Sequence, residues 1–334
     1  MVMRMWFALL VIPAGFAQTE RAFQFTKITD AQQMADVSKA IAAVGGFAAP
    51  AVDAEKRTLT AVGTAAQLTY AEWALAQLDV DPLAHPVHAV IGDHLLGGDP
   101  KDLVRIFRIA NAANIQQFQE IGTIIRSLTE VKYLYSSWPT GSILVRGDSA
   151  RLDLGQWIVE RLDHPVAEID YNRHDYDLPA PLPGSRPGEN LTRITAFRVA
   201  NSTSTTEFLE IVTALRSIGE FRYVMSHGAS GSFFIRSTAA DADVASWLLQ
   251  QVDRKTGGAV AEYRYPAVDD VINVIYVPSS NTVAQFQQEV TRIRGATNLR
   301  RVFTLSRLRA VLVRDSEARV AEARKMFTEL VAAK

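Results

Sequence analysis

Six histidines and no cysteine limit the chemistry open to this 334-residue chain. Without thiols there can be no disulfide, thiolate metal site or thiol nucleophile. The densest run of metal-competent side chains is His85, His88, Asp93, His94 and Asp99, in which His85, His88 and His94 are the candidates for imidazole ligation. His85 precedes Pro86, which favours extended backbone over a helical face that would aim two rings together. A solvated linker is expected there, with no resident metal and no cofactor. Asp170, His174, Asp175 and Asp177 form a second cluster, without the Asp/Asn-x-Asp-x-Asp-Gly order and closing Glu of a calcium loop. Ser226-His227 and Ser230 fall in a turn, and no Gly-x-Ser-x-Gly elbow exists to present a nucleophile. Gly45-Gly46, Gly97-Gly98 and Gly257-Gly258 are isolated pairs that suit turns rather than a phosphate-cradling loop. No catalytic residue is expected, and no enzyme.

The elements that would have to position such residues are set by internal repetition. Trp73-Ala-Leu-Ala-Gln-Leu-Asp79, Trp157-Ile-Val-Glu-Arg-Leu-Asp163 and Trp247-Leu-Leu-Gln-Gln-Val-Asp253 end three segments in nearly the same words. Counting back 56 positions from each Asp lands on Phe23, Phe107 and Phe197, so the three windows align without a gap. A fourth, diverged copy runs from Ile275 to Val331, with Lys325 where the others have Trp. Eleven residues into the windows stand Met34, Phe118, Phe208 and Phe286, and nineteen in, the last three copies share Arg126, Arg216 and Arg294.

Within a window, Phe107 and Ile109 alternate as a short strand before Ala110-Asn111, and Ile115, Phe118, Ile121, Ile124, Ile125 and Leu128 recur at helical spacing. Residues 132–138 and 142–146 alternate as two strands around Pro139-Thr-Gly141, and Leu154, Trp157, Ile158 and Leu162 make a second helical stripe. The unit reads strand, helix, strand, strand, helix. The fold class expected is α+β, with four tandem two-layer modules, each a three-stranded sheet carrying two helices on one face and leaving the other more polar. Trp73, Trp157 and Trp247, with Phe118, Phe208 and Phe286, are the expected core anchors.

The modules are placed at 18–80, 103–163, 194–254 and 271–334, with linkers at 81–102, 164–193 and 255–270. The middle linker carries Pro179, Pro181, Pro183 and Pro187, which makes it stiff and suggests an independent joint. Segments 166–171 and 260–265 could each add a short strand. Residues 1–17 read as a signal peptide: Arg4, an apolar run from Trp6 to Ile12, then Gly15 and Ala17 at the −3 and −1 positions. That run is far shorter than the ~20 residues of a spanning helix.

Each window resembles the short, KH-like N-terminal domain repeated in bacterial secretins. Phe107-Arg-Ile-Ala-Asn111, Ile143-Leu-Val-Arg-Gly147 and Leu162-Asp163 match its pieces, as do Phe197-Arg-Val-Ala-Asn201, Phe233-Phe-Ile-Arg236 and Val252-Asp253. The resemblance covers most of 23–331 and implies periplasmic rings of packed modules beneath an outer-membrane pore. The expected departure from the family is that no β-rich pore domain follows the fourth copy. The resemblance therefore implies a soluble scaffold or partner rather than a self-inserting channel.

Charge adds one clue. From Ile275 onward there are eleven Arg or Lys against five acids, net +6; from Gln18 to Val274 there are 23 against 31, net −8. Arg292, Arg294, Arg300, Arg301, Arg307 and Arg309 form a candidate interaction patch able to attract an acidic partner, an anionic membrane surface or the acidic copies of a neighbouring subunit. Nucleic acid is excluded as a partner by export, near-zero net charge and the lack of a Gly-x-x-Gly clamp. The expected partners are proteins, either further copies in a homo-oligomer or a secretin-type outer-membrane complex of a secretion or pilus machinery. The expected site is the bacterial periplasm. The alternative is a periplasmic or extracellular ligand- or metal-binding protein, or a cell-wall enzyme, with a pocket between modules.

Overall fold

The computed structural model describes residues 18–81, 88–165, 168, 173–182, 190–265, 268–277 and 282–332, with side chains to 329. The proposed signal peptide, His85 and most of 166–171 lie outside the described residues.

Four α+β modules follow one another, as the repeat predicts. The first is β1 (Thr19–Gln24), α1 (Ala31–Gly45), β2 (Ala51–Asp53), β3 (Thr58–Gly63) and α2 (Ala65–Leu78). The second is β4 (Ala89–Leu95), β5 (Leu103–Arg108), α3 (Ile115–Thr129), β6 (Tyr133–Ser137), β7 (Ser142–Gly147) and α4 (Ser149–Leu162). The third is β8 (His174–Asp177), β9 (Arg193–Arg198), α5 (Thr205–Gly219), β10 (Tyr223–His227), β11 (Ser232–Ser237) and α6 (Ala239–Val252). The fourth is β12 (Ala261–Arg264), β13 (Val271–Tyr276), α7 (Val283–Thr297), β14 (Arg301–Leu305), β15 (Ala310–Asp315) and α8 (Glu317–Ala332).

Local chemistry repeats with the windows. Asp30, Asn114, Ser204 and Thr282 each cap the first helix by accepting the N–H three residues on. The same helices end in left-handed residues, Gly46, Glu130, Glu220 and Asn298, whose N–H groups close on the carbonyls of Ala42, Arg126, Arg216 and Arg294. Arg57, Gly141, Gly231 and Arg309 take the same left-handed conformation at the end of each hairpin turn. Every described non-glycine residue with positive φ sits at one of these two positions.

Three features depart from the expected module. Segments read as linkers supply a fourth strand to three of the sheets, of which only β12, within 260–265, matches an expected added strand; the orders are β4-β5-β7-β6, β10-β11-β9-β8 and β12-β13-β15-β14, while the first sheet is β1-β3-β2. The sheets of the later modules are also buried on both faces: β11 and β15 are buried along their whole length, and β9 and β13 at all but one residue. A two-layer module would leave alternate residues wet.

The third departure concerns the joints. The described chain divides into two compact units, one holding β1 to α2 with most of β4 and β5 and all of β6 and β7, the other holding α3, α4 and everything from Ser149 onward. The division runs through the second module and not through the Pro-rich segment, because each helix pair packs on the sheet that follows it. In the first unit, the cores of α1 and α2 join Val104, Ile106 and Leu144 of the next sheet in one apolar cluster. In the second, α5 and α6 do the same with Ile272, Val274, Leu305 and Leu312. No helix of the described residues is long and apolar enough to cross a membrane.

Candidate functional site

The polar groups that recur from module to module lie inside the modules and at the joints between helix pair and following sheet. Asp79, Asp163 and Asp253 end the second helix of the first three modules. Asp79 accepts from the N–H groups of Thr26, Lys27 and Ile28 at 2.6–3.2 Å, and Asp163 from Ala110 and Asn111 at 2.7–3.0 Å. Asp253 repeats the bond to Ala200 and Asn201 at 2.6 and 2.7 Å. The carboxylate thus satisfies the exposed donors at the end of the first strand and fastens the last helix to it. Burial pushes the Asp79 carboxyl up, but the Ile28, Thr26 and Lys27 donors outweigh it and hold it below the usual carboxylate range.

An arginine near the end of each later hairpin, Arg146, Arg236 and Arg314, reaches the C-terminus of the preceding module's first helix. Arg146 donates from Nη1 to the carbonyls of Val44 and Gly45 at 3.1 and 3.2 Å while Asp102 grips its Nε and Nη2 at 2.6 and 2.7 Å. Gly46 leaves it room, since a Cβ there would lie 3.2 Å from that Nη1. Arg314 donates to the Ile218 carbonyl at 3.0 Å and pairs with Asp270. Arg236 is fully buried, pairs with Glu130 at 2.6 Å and lies 3.8 Å from the Tyr223 ring centroid, but its Nε and Nη2 find no partner. These positive groups meet the negative end of a helix. On the same helix face, Asp36 accepts from Tyr135 and Ser137 at 2.8 and 2.5 Å, Glu120 lies 3.9 Å from His227, and Glu210 accepts from the Ser306 N–H at 3.1 Å.

The three tryptophans belong to the joints too. They are half-buried, and Trp73 stacks on His94 (4.8 Å between centroids), Trp157 packs on Tyr176 and Phe234 (5.5 and 6.1 Å), and Trp247 on Tyr263 (5.4 Å). Each partner ring is carried by the next sheet, so Trp73, Trp157 and Trp247 are joint residues rather than core anchors. Phe118, Phe208 and Phe286 are buried.

The candidate metal ligands are separated. The ring of His88 contacts the buried Asp163 at 2.7 Å, and His94 lies against Trp73 and Tyr70. Among the described residues no three His, Cys, Asp or Glu side chains come together as a metal site. The arginine patch is also divided. Arg300 pairs with Asp270, Arg301 with Glu220 and Arg307 with Glu207, Arg309 lies over Phe286, and Arg292 and Arg294 stand exposed on α7. A cavity of about 260 Å³ lies where α4 meets the third sheet, lined by Glu160, Arg161, His164, His174 and Arg198 among others.

No family model matches the chain, and no curated protein matches it. Among solved structures it is similar to Aeromonas hydrophila ExeD, at 14% identity over 69% of this chain and 41% of that one, with a TM-score of 0.16. It is similar to the secretin in an ETEC pilotin–secretin AspS–GspD complex (12% identity, 70% and 38% covered, TM-score 0.17) and to the type II secretion system secretin GspD of E. coli K12 (12%, 72% and 40%, 0.17). The chain spans about two fifths of the length of these proteins.

Proposed function

We propose that the protein is an exported, non-enzymatic scaffold of the bacterial periplasm, a secretin-N-like assembly protein of a secretion- or pilus-type machinery that works by holding protein partners. The observation that carries this reading is the repeated joint: the recurring arginines, the acids Asp36, Glu120 and Glu210, and the tryptophans serve the packing of one module on the next. The letters that the windows share with secretin N-terminal domains, Phe107-Arg-Ile-Ala-Asn111 and Ile143-Leu-Val-Arg-Gly147, supply core and joint residues in the same way. The two outermost faces lack these grips. Val62, 45% exposed, stands where later sheets have Arg, and Gln288 and Lys325 stand where earlier helices have an acid and Trp. Association of copies end to end is therefore disfavoured, and a different protein is the expected partner.

The test has two parts. The full-length product should appear in the periplasmic fraction beginning at Gln18; retention in the cytoplasm with Met1 intact sinks export. Light scattering of residues 18–334 in about 50 and about 500 mM salt should return the monomer mass at both, since exposed charge contacts would show themselves as the Debye length shortens. A larger, salt-sensitive species would make the protein its own partner. The cavity at α4 favours a second reading, in which the joint binds a small anionic or zwitterionic ligand between Arg161 and Arg198. That reading requires a ligand-dependent rise in melting temperature which is lost in Arg161→Ala.

A further inference from the structure

In three of the four sheets the module's first strand has a neighbour on its outer side, and these short strands share a pattern. Each presents an acid followed by a ring: Asp93-His94, Asp175-Tyr176 and Glu262-Tyr263. The register is the same in the third and fourth modules, with Asp175 opposite Thr195 and Tyr176 opposite Ile194, and Glu262 opposite Asn273 and Tyr263 opposite Ile272. The acid meets the polar residue two places before the window's opening residue. Arg105 donates to Asp93 at 2.6 Å, Thr195 Oγ1 to Asp175 at 2.8 Å, and Asn273 Nδ2 to Glu262 at 3.2 Å. The ring meets the tryptophan of the preceding module.

The first sheet has no such strand among the described residues. Among the described residues nothing pairs with the outer side of β1, and Phe23 is its only buried residue. The position equivalent to Arg105, Thr195 and Asn273 is Arg21, about half exposed and paired with the equally exposed Glu72 at 2.8 Å. We propose that the open edge of β1 takes an antiparallel strand from a partner protein, with a carboxylate of that strand opposite Arg21. Strand addition of this kind draws affinity from main-chain hydrogen bonds and specificity from alternate side chains. Here the carboxylate carries the specificity, because among the described residues no tryptophan of a preceding module stands beside the first sheet to receive a ring.

Other occupants fit less well. Residues 1–17 contain no Asp or Glu, so they cannot supply the carboxylate. The acid-and-ring strands of a second copy are already paired within their own sheets. Charged residues on an edge strand ordinarily ward off pairing. Arg21 differs in that its three counterparts each receive an acid from a neighbouring strand.

The inference rests on the scaffold reading and is tested separately from it. The probe is a capped peptide of residues 258–266, Gly-Ala-Val-Ala-Glu-Tyr-Arg-Tyr-Pro, added to the purified protein, with binding read by amide hydrogen exchange and calorimetry. Protection is expected at Thr19–Gln24 and not at Val271–Tyr276. Replacing the peptide's Glu by Lys should weaken binding by about tenfold. Arg21→Glu should do the same to the Glu peptide and restore the Lys peptide. No protection of β1 at millimolar peptide, equal binding of both peptides, or protection confined to β13 would overturn the proposal. Any of these in a processed, periplasmic, monomeric protein defeats the docking edge alone; failure of export defeats the wider reading and leaves the peptide result standing.

Discussion

Helices α5 and α7 occupy equivalent places in neighbouring modules and agree on one side only. Toward their own sheets both are apolar, with Phe208, Val212 and Leu215 in one matched by Phe286, Val290 and Ile293 in the other, all buried. Toward the next module α5 presents Glu210, Ile211, Ala214 and Ile218, whereas the same positions of α7 are Gln288, Glu289, Arg292 and Ala296. The second helices diverge likewise, from Val244 and Trp247 in α6 to Glu322 and Lys325 in α8. The inner stripe folds a module and the outer stripe joins it to another. Losing the second leaves the first intact, in the manner of the polar capping repeats of solenoids.

The largest effect should come from breaking what both kinds of module share least. Asp163→Ala removes the acceptor for Ala110 and Asn111, a position held by Val331 in the fourth module, so it should cost about 3 kcal/mol in urea unfolding. An unchanged midpoint would mean that water serves those donors as well. Arg314→Met should cost about 2 kcal/mol, because it strips the Ile218 carbonyl of a donor and leaves Asp270 half-paired at the joint. Its counterpart Val62→Arg, at an exposed position of the first sheet, should stay within about 0.5 kcal/mol. Equal costs would erase the distinction between joined and open faces.

Much of this arrangement was legible and some was not, for physical reasons. The gap-free windows locate helices and hairpins because their 3.6- and 2-residue periods survive in every copy. The apolar list of α3 already spanned a wide arc, with Phe118, Ile121, Ile124, Ile125 and Leu128 all buried. A helix apolar over so wide an arc is covered on two sides, so the third layer was recoverable. Strand β12 was too, since it falls within the segment 260–265 read as a possible short strand, but β8 was not, because four residues reading His-Asp-Tyr-Asp among prolines and charges carry no period long enough to see. Side-chain partners from other modules were equally hidden. The arginines of the fourth module look like a patch when counted along the chain and turn out to answer Glu207, Glu220 and Asp270 one by one.

The joint between the second and third modules should differ from the others in its response to pH. Burial drops the His227 imidazole from its usual value to about 4, with Ser230 Oγ at 2.8 Å from Nδ1 and Glu120 at 3.9 Å from the unpartnered Nε2. Folded His227 therefore stays neutral where the unfolded chain is already protonated. Its contribution is complete above pH ~6.5 and is lost as pH falls toward ~4, amounting to at most about 3 kcal/mol. His227→Gln should flatten the stability profile across that window, and an unchanged slope would place the acid sensitivity elsewhere.

A small effect on folding, and the sharpest on assembly, should come from refitting the fourth module with the outer stripe of the third. Glu289→Ile, Arg292→Ala, Glu322→Val and Lys325→Trp replace exposed or half-exposed side chains, so unfolding should shift by no more than about 1 kcal/mol. On its own the variant gains an apolar surface with no sheet to meet, and light scattering should show weak association. Adding Thr60→Leu and Val62→Arg gives the first sheet the apolar residue and arginine that Leu312 and Arg314 supply in the fourth. The two faces then complement each other head to tail, an interface that does not close on itself, so mass should climb with concentration instead of stopping at a dimer. If the doubly refitted chain remains monomeric, face complementarity alone does not make the joint. The covalent connection would then be supplying most of it, by holding each sheet at high effective concentration beside the helix pair before it.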